Sequence, residues 1–170
     1  VLIVGDLPDP VAGPGQIVVE TVAASINGAD AKVCAGEYPG QPRFPLSLGR
    51  DFSGVVATLG DGVSDLRVGD AVFGVLETGR DGTYVEKLAI GAAIVAKKPA
   101  TLTHVEAAAL ALIGLTALCT IENALKLQKG ETILIQGGAG GVASFAIQLA
   151  KHLGAHVITT ASAANAPYLR

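Results

Sequence analysis

The chain is poor in cysteine, in histidine and in basic side chains. Its two cysteines, Cys34 and Cys119, lie far apart and form no Cys-x-x-Cys pair, which argues against a disulfide scaffold and against a zinc-binding lobe. The three histidines, His104, His152 and His156, have no metal-compatible partner at short spacing. We therefore expect no metal site, and the simplest compartment for this protein is the reducing cytoplasm.

Positive charge is scarce: twelve Lys and Arg residues are scattered among fifteen Asp and Glu residues, and the net charge is −3. No basic patch results that could neutralise a phosphate backbone, so we expect no nucleic-acid partner. Long apolar runs are also lacking, because Glu106, Thr116 and Thr120 interrupt the longest one, residues 105–121. This run falls short of a membrane span, which predicts a soluble protein without a membrane partner.

The same run is interpreted as two buried helices. Thr103-His-Val-Glu106 has the spacing of a capping box, in which side chains satisfy the free N–H groups at a helix start. Gly114 is expected to separate the first helix from a second that ends near Leu127.

The residues before this apolar run have a different sequence pattern. Short strand-like runs alternate there with Gly, Pro and Asp turns, at residues 16–22, 54–58, 70–73 and 84–90. This pattern predicts a barrel-like β domain over residues 1–113, followed by an α/β domain over residues 114–170.

The most informative segment is an apolar strand that passes through a glycine-rich loop directly into a helix. Gly138, Gly140 and Ala143 have the spacing of a dinucleotide-binding turn. We expect Gly138 to permit the tight turn, Gly140 to admit a pyrophosphate, and Ala143 to let the helix pack on the strand. Gly141 and Val142 open the helix, whose N-terminal N–H groups favour an anion. The segment predicts NAD or NADP binding; the alternative is a glycine-rich turn that binds nothing.

The residues after the loop continue this pattern. Gly154 stands where a C-terminal helix cap belongs, and residues 155–160 are interpreted as a second buried strand. One face of the helix between them is predicted to be apolar, with Val142, Phe145, Ala146, Leu149, Ala150 and Leu153.

An acidic residue is missing about 20 residues past the loop, where Asp or Glu would hold the ribose 2′-hydroxyl of NAD. Thr160, Ser162 and Asn165 offer hydroxyls and an amide to a 2′-phosphate, and Arg170 could add charge. This favours NADP over NAD, the alternative being an ordinary polar strand end.

Seven segments occur along the chain in an order that carries a family resemblance: PDP at 8–10, GEYP at 36–39, LGRDFSGVV at 48–56, RVGDAVFG at 67–74, GTYVE at 82–86, GLTA at 114–117 and GGAGGV at 137–142. Together they resemble the medium-chain dehydrogenase/reductase superfamily, and more narrowly its zinc-free quinone oxidoreductase branch. The resemblance implies a GroES-like β domain followed by the start of a doubly wound Rossmann domain. It also implies that NADPH reduces a quinone or an α,β-unsaturated carbonyl.

Zinc alcohol dehydrogenases of this superfamily carry a Cys where this chain has Asn27 and a His-Glu pair where it has Arg50 and Asp51. Asn and Arg cannot supply the ligands of a catalytic zinc, so we expect no zinc. We interpret Arg50 and Asp51 as an ion pair in the vacated metal pocket; an arginine that orients a substrate carbonyl is the alternative.

The resemblance places Asn27 near the nicotinamide ribose and the substrate, Thr116 near the nicotinamide ring, and Tyr38 at the substrate cleft. Each has a structural alternative: Asn27 and Tyr38 could serve turns, and Thr116 could bond to its own helix backbone. Relatives often carry a Tyr five residues after the Asn, where this chain has Lys32.

A complete Rossmann domain has about six strands, whereas this chain provides one strand-helix-strand unit. The resemblance therefore implies an internal piece of a longer protein, which we expect to be a homodimer when full length. Three other functions stay open: an enoyl reductase module of a polyketide or fatty acid synthase, a non-catalytic NADPH-binding sensor, and a β-domain interaction module.

Overall fold

The computed structural model describes residues 2–38, 45–77 and 81–169. The chain divides into two compact units, Val1–Leu112 and Ile113–Arg170. The first unit is built on an antiparallel sheet and the second on a parallel strand-helix-strand unit.

The sheet of the first unit has five strands in the order β4-β1-β2-β3-β5. The four strand-like runs of the sequence are confirmed with shifted ends, whereas β5 was not predicted because three residues are too few to show an alternating pattern. The strands are β1 Gln16–Ala24, β2 Asp51–Leu59, β3 Ala71–Val75, β4 Lys87–Gly91 and β5 Val95–Lys97.

The core of this unit lies on one face of the sheet, where alternate residues of each strand point. Its buried members are Ile17, Val19, Phe52, Val56, Leu66, Val72, Leu76, Leu88 and Ile90. Complete burial of one such side chain contributes about 1.5–3 kcal/mol. Because neighbours along a strand face opposite ways, Asp51 and Ser53 on either side of Phe52 point away from it, and both are fully buried.

A short helix, α1 (Gly28–Ala35), follows β1 and ends at Gly36, whose φ of 74° is left-handed. Cys34 lies on this helix and is exposed. The helix was missed because it has no apolar stripe, and its ends are set instead by Asn27, by Asp30 and by Gly36.

The helix α2 (His104–Leu118) runs through Gly114 and continues as a π-helical segment, Cys119–Ala124. The predicted break at Gly114 is therefore wrong. A Cβ at Gly114 would lie 3.6 Å from the Phe145 ring, so this glycine allows close packing instead of ending the helix. The capping box is confirmed: Glu106 Oε2 accepts from the Thr103 N–H at 2.8 Å, and Thr103 Oγ1 accepts from the Glu106 N–H at 3.2 Å.

Because α2 is unbroken, the helical run His104–Ala124 reaches 21 residues and is long and apolar enough to cross a membrane. The expectation that this stretch is too short for a span is wrong. Length and composition alone are weak evidence of a span, since core helices of soluble proteins pass the same test.

The second unit contains β6 (Thr132–Ile135), α3 (Gly141–His152) and β7 (His156–Thr159), with the two strands parallel. Gly154 follows the helix with a φ of 83°, as predicted for its cap. A 3₁₀-helical segment, Ala163–Leu169, follows β7.

The apolar face of α3 packs as predicted at Phe145, Ala146 and Leu149. Val142 in the first turn is the exception, with 39% of its surface exposed. The strand β7 is not buried as expected, because Ile158 is 57% exposed and its partner on β6, Leu134, is 58% exposed. Within the described residues, this sheet has only two strands, and α3 packs on both of them.

Candidate functional site

The glycine-rich loop between β6 and α3 contains a turn over residues 137–140, in which the Gly140 N–H donates to the Gly137 carbonyl oxygen at 2.8 Å and Gly137 has a φ of +68°. Gly138 lies inside this turn, as predicted, and it is buried: a Cβ there would overlap Thr159 Oγ1 and lie 3.0 Å from Ile147 Cδ1. Gly138 is therefore required for close packing of the loop against β7, while Gly137 supplies the left-handed backbone.

Gly140 is the N-cap residue of α3, and Gly141 and Val142 form its exposed first positions. A Cβ at Gly140 would lie 3.3 Å from the Gly137 carbonyl oxygen, so a side chain would fill the concave side of the loop. The first N–H groups of a helix lack intrahelical partners and favour an anion. Together with the half-buried Ala143, these residues fit the pyrophosphate of a dinucleotide.

Thr160 ties the loop to the end of β7. Its Oγ1 accepts from the Gly137 N–H at 3.1 Å, and its carbonyl oxygen accepts from the Gly138 N–H at 2.8 Å. Ser162 and Asn165 are exposed, and the Asn165 N–H donates to the Ser162 carbonyl at 3.0 Å. Thr160 thus has a structural contact besides its predicted cofactor role, and Arg170 lies outside the described residues.

A second polar cluster lies in the first unit, around the carboxylate of Asp51 at the start of β2. Asp51 is fully buried. The Ser25 hydroxyl lies 2.8 Å from both carboxylate oxygens, and the Ser25 N–H donates to Oδ1 at 3.2 Å. The amide Nδ2 of Asn27 lies 3.4 Å from each carboxylate oxygen. Asp51 therefore receives neutral donors from the residues that follow β1.

Asp30 joins three separate segments of this cluster. Its carboxylate accepts from the Asn27 N–H at 2.7 Å, from the Tyr84 hydroxyl at 2.9 Å and from the Gly49 N–H at 3.3 Å. Partial burial of Tyr84, and then the bond of its hydroxyl to Asp30, raise the pKa of Tyr84 above its usual range. Tyr84 consequently stays a neutral donor, and the start of α1 is held against the loops at residues 49 and 84.

Arg50 does not pair with its neighbour. Its guanidinium donates to the Leu76 carbonyl oxygen, at 2.9 Å from Nη2 and 3.3 Å from Nε. No ion pair joins Arg50 to Asp51, both of which are described residues, so the predicted ion pair is wrong. The physical reason is that adjacent residues at a strand start direct their side chains to opposite faces.

The three candidate catalytic residues occupy different surroundings. Asn27 is the N-cap of α1, which fits the alternative interpretation of a local structural role. Its amide Nδ2 also lies 3.4 Å from the Asp51 carboxylate. Tyr38 is half-buried, two residues beyond the end of α1 at Gly36, and its neighbours Pro39 and Gly40 lie outside the described residues. Thr116 is exposed on α2 in the second unit, and its carbonyl accepts from the Thr120 hydroxyl at 2.8 Å.

Ser25, Asp30 and Tyr84 are members of the cluster that the sequence analysis did not select. Part of the signal was local, since Asn27 and Asp30 have the N-cap and N3 spacing of a helix start. Ser25 and Asn27 have the alternation of residues on one face of a strand. The contact with Tyr84 spans 54 residues and has no local signature.

Among residues 2–38, 45–77 and 81–169, no group of three or more His, Cys, Asp and Glu side chains is placed to hold a metal ion. Asn27 and Arg50 occupy two positions where the resemblance would put zinc ligands, and both are engaged in hydrogen bonds.

Residues 13–156 match the family model of the alcohol dehydrogenase GroES-like domain. The chain belongs to this family. The GroES-like chain is 41% identical to an alcohol dehydrogenase superfamily protein from Novosphingobium aromaticivorans, with a TM-score of 0.95 over 99% of this chain and 52% of that one. It is 36% identical to the quinone oxidoreductase from Coxiella burnetii, with a TM-score of 0.89 over 97% of this chain and 53% of that one.

A curated relative is the phthioceranic/hydroxyphthioceranic acid synthase of Mycobacterium bovis, 39% identical over 88% of this chain but only 7% of the synthase. The GroES-like chain thus spans about half the length of the solved structures that it matches. These similarities place it in the medium-chain dehydrogenase/reductase superfamily, in the quinone oxidoreductase-like branch.

Proposed function

We propose that this chain belongs to a zinc-independent, NADPH-dependent oxidoreductase that transfers hydride to a quinone or an α,β-unsaturated carbonyl. The observation that carries the proposal is the loop from Gly137 to Gly140, which turns from β6 into the exposed N-terminus of α3. The likeness to the Coxiella burnetii quinone oxidoreductase supports the substrate class.

The choice of NADPH rests on the residues after β7. Thr160, Ser162 and Asn165 are all exposed there and offer hydroxyls and an amide, and no acidic residue follows β7 within 159–169 to hold a 2′-hydroxyl. Bound NADPH would supply the hydride, and the residues from Gly140 to Ala143 would hold its pyrophosphate.

The remaining tasks of the protein are to orient the reactants and to exclude water. We assign Asn27 to the nicotinamide ribose and substrate, Thr116 to the nicotinamide ring, and Tyr38 to the substrate. Without zinc, no group would lower the pKa of a bound alcohol, which favours an acceptor that is already electrophilic. We also propose a domain boundary between residues 113 and 114, a cytoplasmic location, and a homodimer for the full-length protein.

The test is a parallel titration of NADPH and NADH into the full-length protein, followed by nicotinamide fluorescence. NADPH should bind more tightly, and the G140A variant should weaken its binding by at least about tenfold, because the new methyl fills the loop. The matched control is G91A, since a Cβ at Gly91 meets no atom within 4 Å. Tighter NADH binding would overturn the NADP assignment, and binding of neither nucleotide would favour a non-catalytic module.

The likeness to the Mycobacterium bovis synthase keeps a synthase enoyl reductase module as a second candidate. Turnover decides between the two candidates. The full-length protein should oxidise NADPH with quinones or simple enones, whereas consumption restricted to carrier-linked enoyl thioesters would favour the synthase module.

A further inference from the structure

The carboxylate of Asp51 is fully buried, and its hydrogen-bond donors are neutral: the Ser25 N–H, the Ser25 hydroxyl and the Asn27 amide. No ion pair of Asp51 with a basic residue occurs within the described ranges. Burying a carboxylate without a cation is unfavourable. The fold therefore gains little from Asp51 that an uncharged side chain would not supply.

The carboxylate does restrict the side chain of Asn27. An ionised carboxylate only accepts hydrogen bonds, whereas an amide has one donating end and one accepting end. Since Nδ2 lies 3.4 Å from both oxygens of Asp51, the donating end is turned toward Asp51. The accepting atom, Oδ1, is consequently turned away from it. The flipped orientation would bring two acceptors together and is disfavoured.

The backbone of Asn27 is held independently, because its N–H donates to Asp30 Oδ2 at 2.7 Å. Asp30 thus fixes the position of the residue, and Asp51 selects the orientation of its amide. The two carboxylates act on different atoms of Asn27, so their effects are separable by mutation.

We propose that Asp51 is a positioning residue that presents Asn27 to the dinucleotide as a hydrogen-bond acceptor. The ligand group is then a donor, namely a ribose hydroxyl, and the carbonyl oxygen of the substrate receives its hydrogen bond from another residue. This inference rests on the proposed function, which assigns Asn27 to the nicotinamide ribose. We assign no ligand contact to Asp51 itself.

The decisive variant is D51N, which keeps the side-chain size and can still accept from the Ser25 N–H. Its amide can donate to Asn27 Oδ1, which removes the restriction on the orientation of Asn27. In the full-length protein, D51N should weaken NADPH binding about five- to tenfold, the range of one hydrogen bond. N27A should weaken binding by a similar factor. Adding D51N to N27A should have no further effect, because Asp51 acts through Asn27.

The exchange variant N27D/D51N distinguishes a loss of Asn27 positioning in D51N from a general folding defect. It retains an amide-carboxylate pair, and a carboxylate oxygen at position 27 is again an outward acceptor, so NADPH binding should return to within about twofold of wild type. An additive effect of D51N on N27A, or an exchange variant that binds as weakly as D51N, would overturn the positioning role. Absence of NADPH binding to the wild-type protein would instead overturn the proposed function, and this inference with it.

Discussion

The hydroxyl of Ser53 lies 2.8 Å from Nδ1 of His104, the first residue of α2. Ser53 is fully buried on β2, and its Oγ also lies 2.9 Å from the Val72 carbonyl oxygen, to which it donates. Because the single hydroxyl proton is used on Val72, Nδ1 of His104 must carry a proton and donate to Ser53. This contact links the start of α2 to the middle of the sheet.

Burial, and then the charge of Lys98, lower the pKa of His104 below its usual value. The unfolded chain therefore binds a proton at this site more readily than the folded chain does. The stability from neutral His104 should be complete above about pH 6.5 and decrease as pH falls through the lowered folded pKa. The variant H104N keeps a donor toward Ser53 without titrating, so its stability should depend less on pH. Urea unfolding between pH 5 and pH 7.5 measures this, and parallel curves for the two proteins would contradict it.

Gly49 should tolerate no side chain. Its φ is +96°, and a Cβ there would overlap Thr83 Oγ1 and lie 2.6 Å from the Tyr84 ring. We expect G49A to lower the free energy of unfolding by about 3 kcal/mol, from backbone strain and overpacking together. The control is G62A, where φ is +81° but no atom lies within 4 Å, with an expected loss of about 1 kcal/mol. Equal losses in chemical denaturation would show that packing around residue 49 adds nothing.

The hydroxyl of Tyr84 should stabilise the first unit through Asp30. Y84F removes a donor from a carboxylate that is only 6% exposed, so we expect a loss of about 1–2 kcal/mol in the free energy of unfolding. Tyr168 is 68% exposed, so Y168F should change stability by less than about 0.5 kcal/mol. Because the folded pKa of Tyr84 is raised, its contribution should persist below about pH 10 and be lost at higher pH. A Y84F protein as stable as wild type at pH 8 would refute this role.

Substitutions at Gly114 should distinguish the low helix propensity of glycine from the packing of this residue against the Phe145 ring. A Cβ there would lie 3.6–3.8 Å from the Phe145 ring atoms, which is ordinary contact, so G114A should stabilise α2 by up to about 1 kcal/mol. G114L should destabilise the protein by about 1–3 kcal/mol, because the longer side chain meets the same ring. Thermal unfolding of both variants checks this, and a destabilised G114A would mean that the helix cannot accept even a methyl group.

The glycine-rich loop and the capping box at Thr103 were predicted because their signals are local, whereas the equally local box at Asn27 was overlooked. Thr103 and Glu106 lie three residues apart, and so do Asn27 and Asp30, which is the reach of one helical turn. The limit of local reasoning shows at Gly137 and Gly138. The sequence pattern located the turn, but only the tertiary structure showed that Gly137 supplies its left-handed backbone and that Gly138 also packs against Thr159.

Arg50 and Gly114 show why other inferences failed. Adjacency of Arg50 and Asp51 suggested a pair, yet the strand directs their side chains to different partners, 26 and 24–26 residues away in sequence. Gly114 was taken as a helix end from its low helix propensity, which amounts to about 1 kcal/mol and is readily outweighed by tertiary packing.

The sequence alone determined the family, four of the five strands of the first unit and the dinucleotide-type loop, because these depend on residue spacing within one element or one turn. Tertiary structure alone decided the surroundings of Asn27. The Asp51 carboxylate that contacts its amide comes from a strand 24 residues away, and that strand pairs with β1 in an irregular register. Register between strands is a property of the packed sheet, and no local spacing in the chain encodes it.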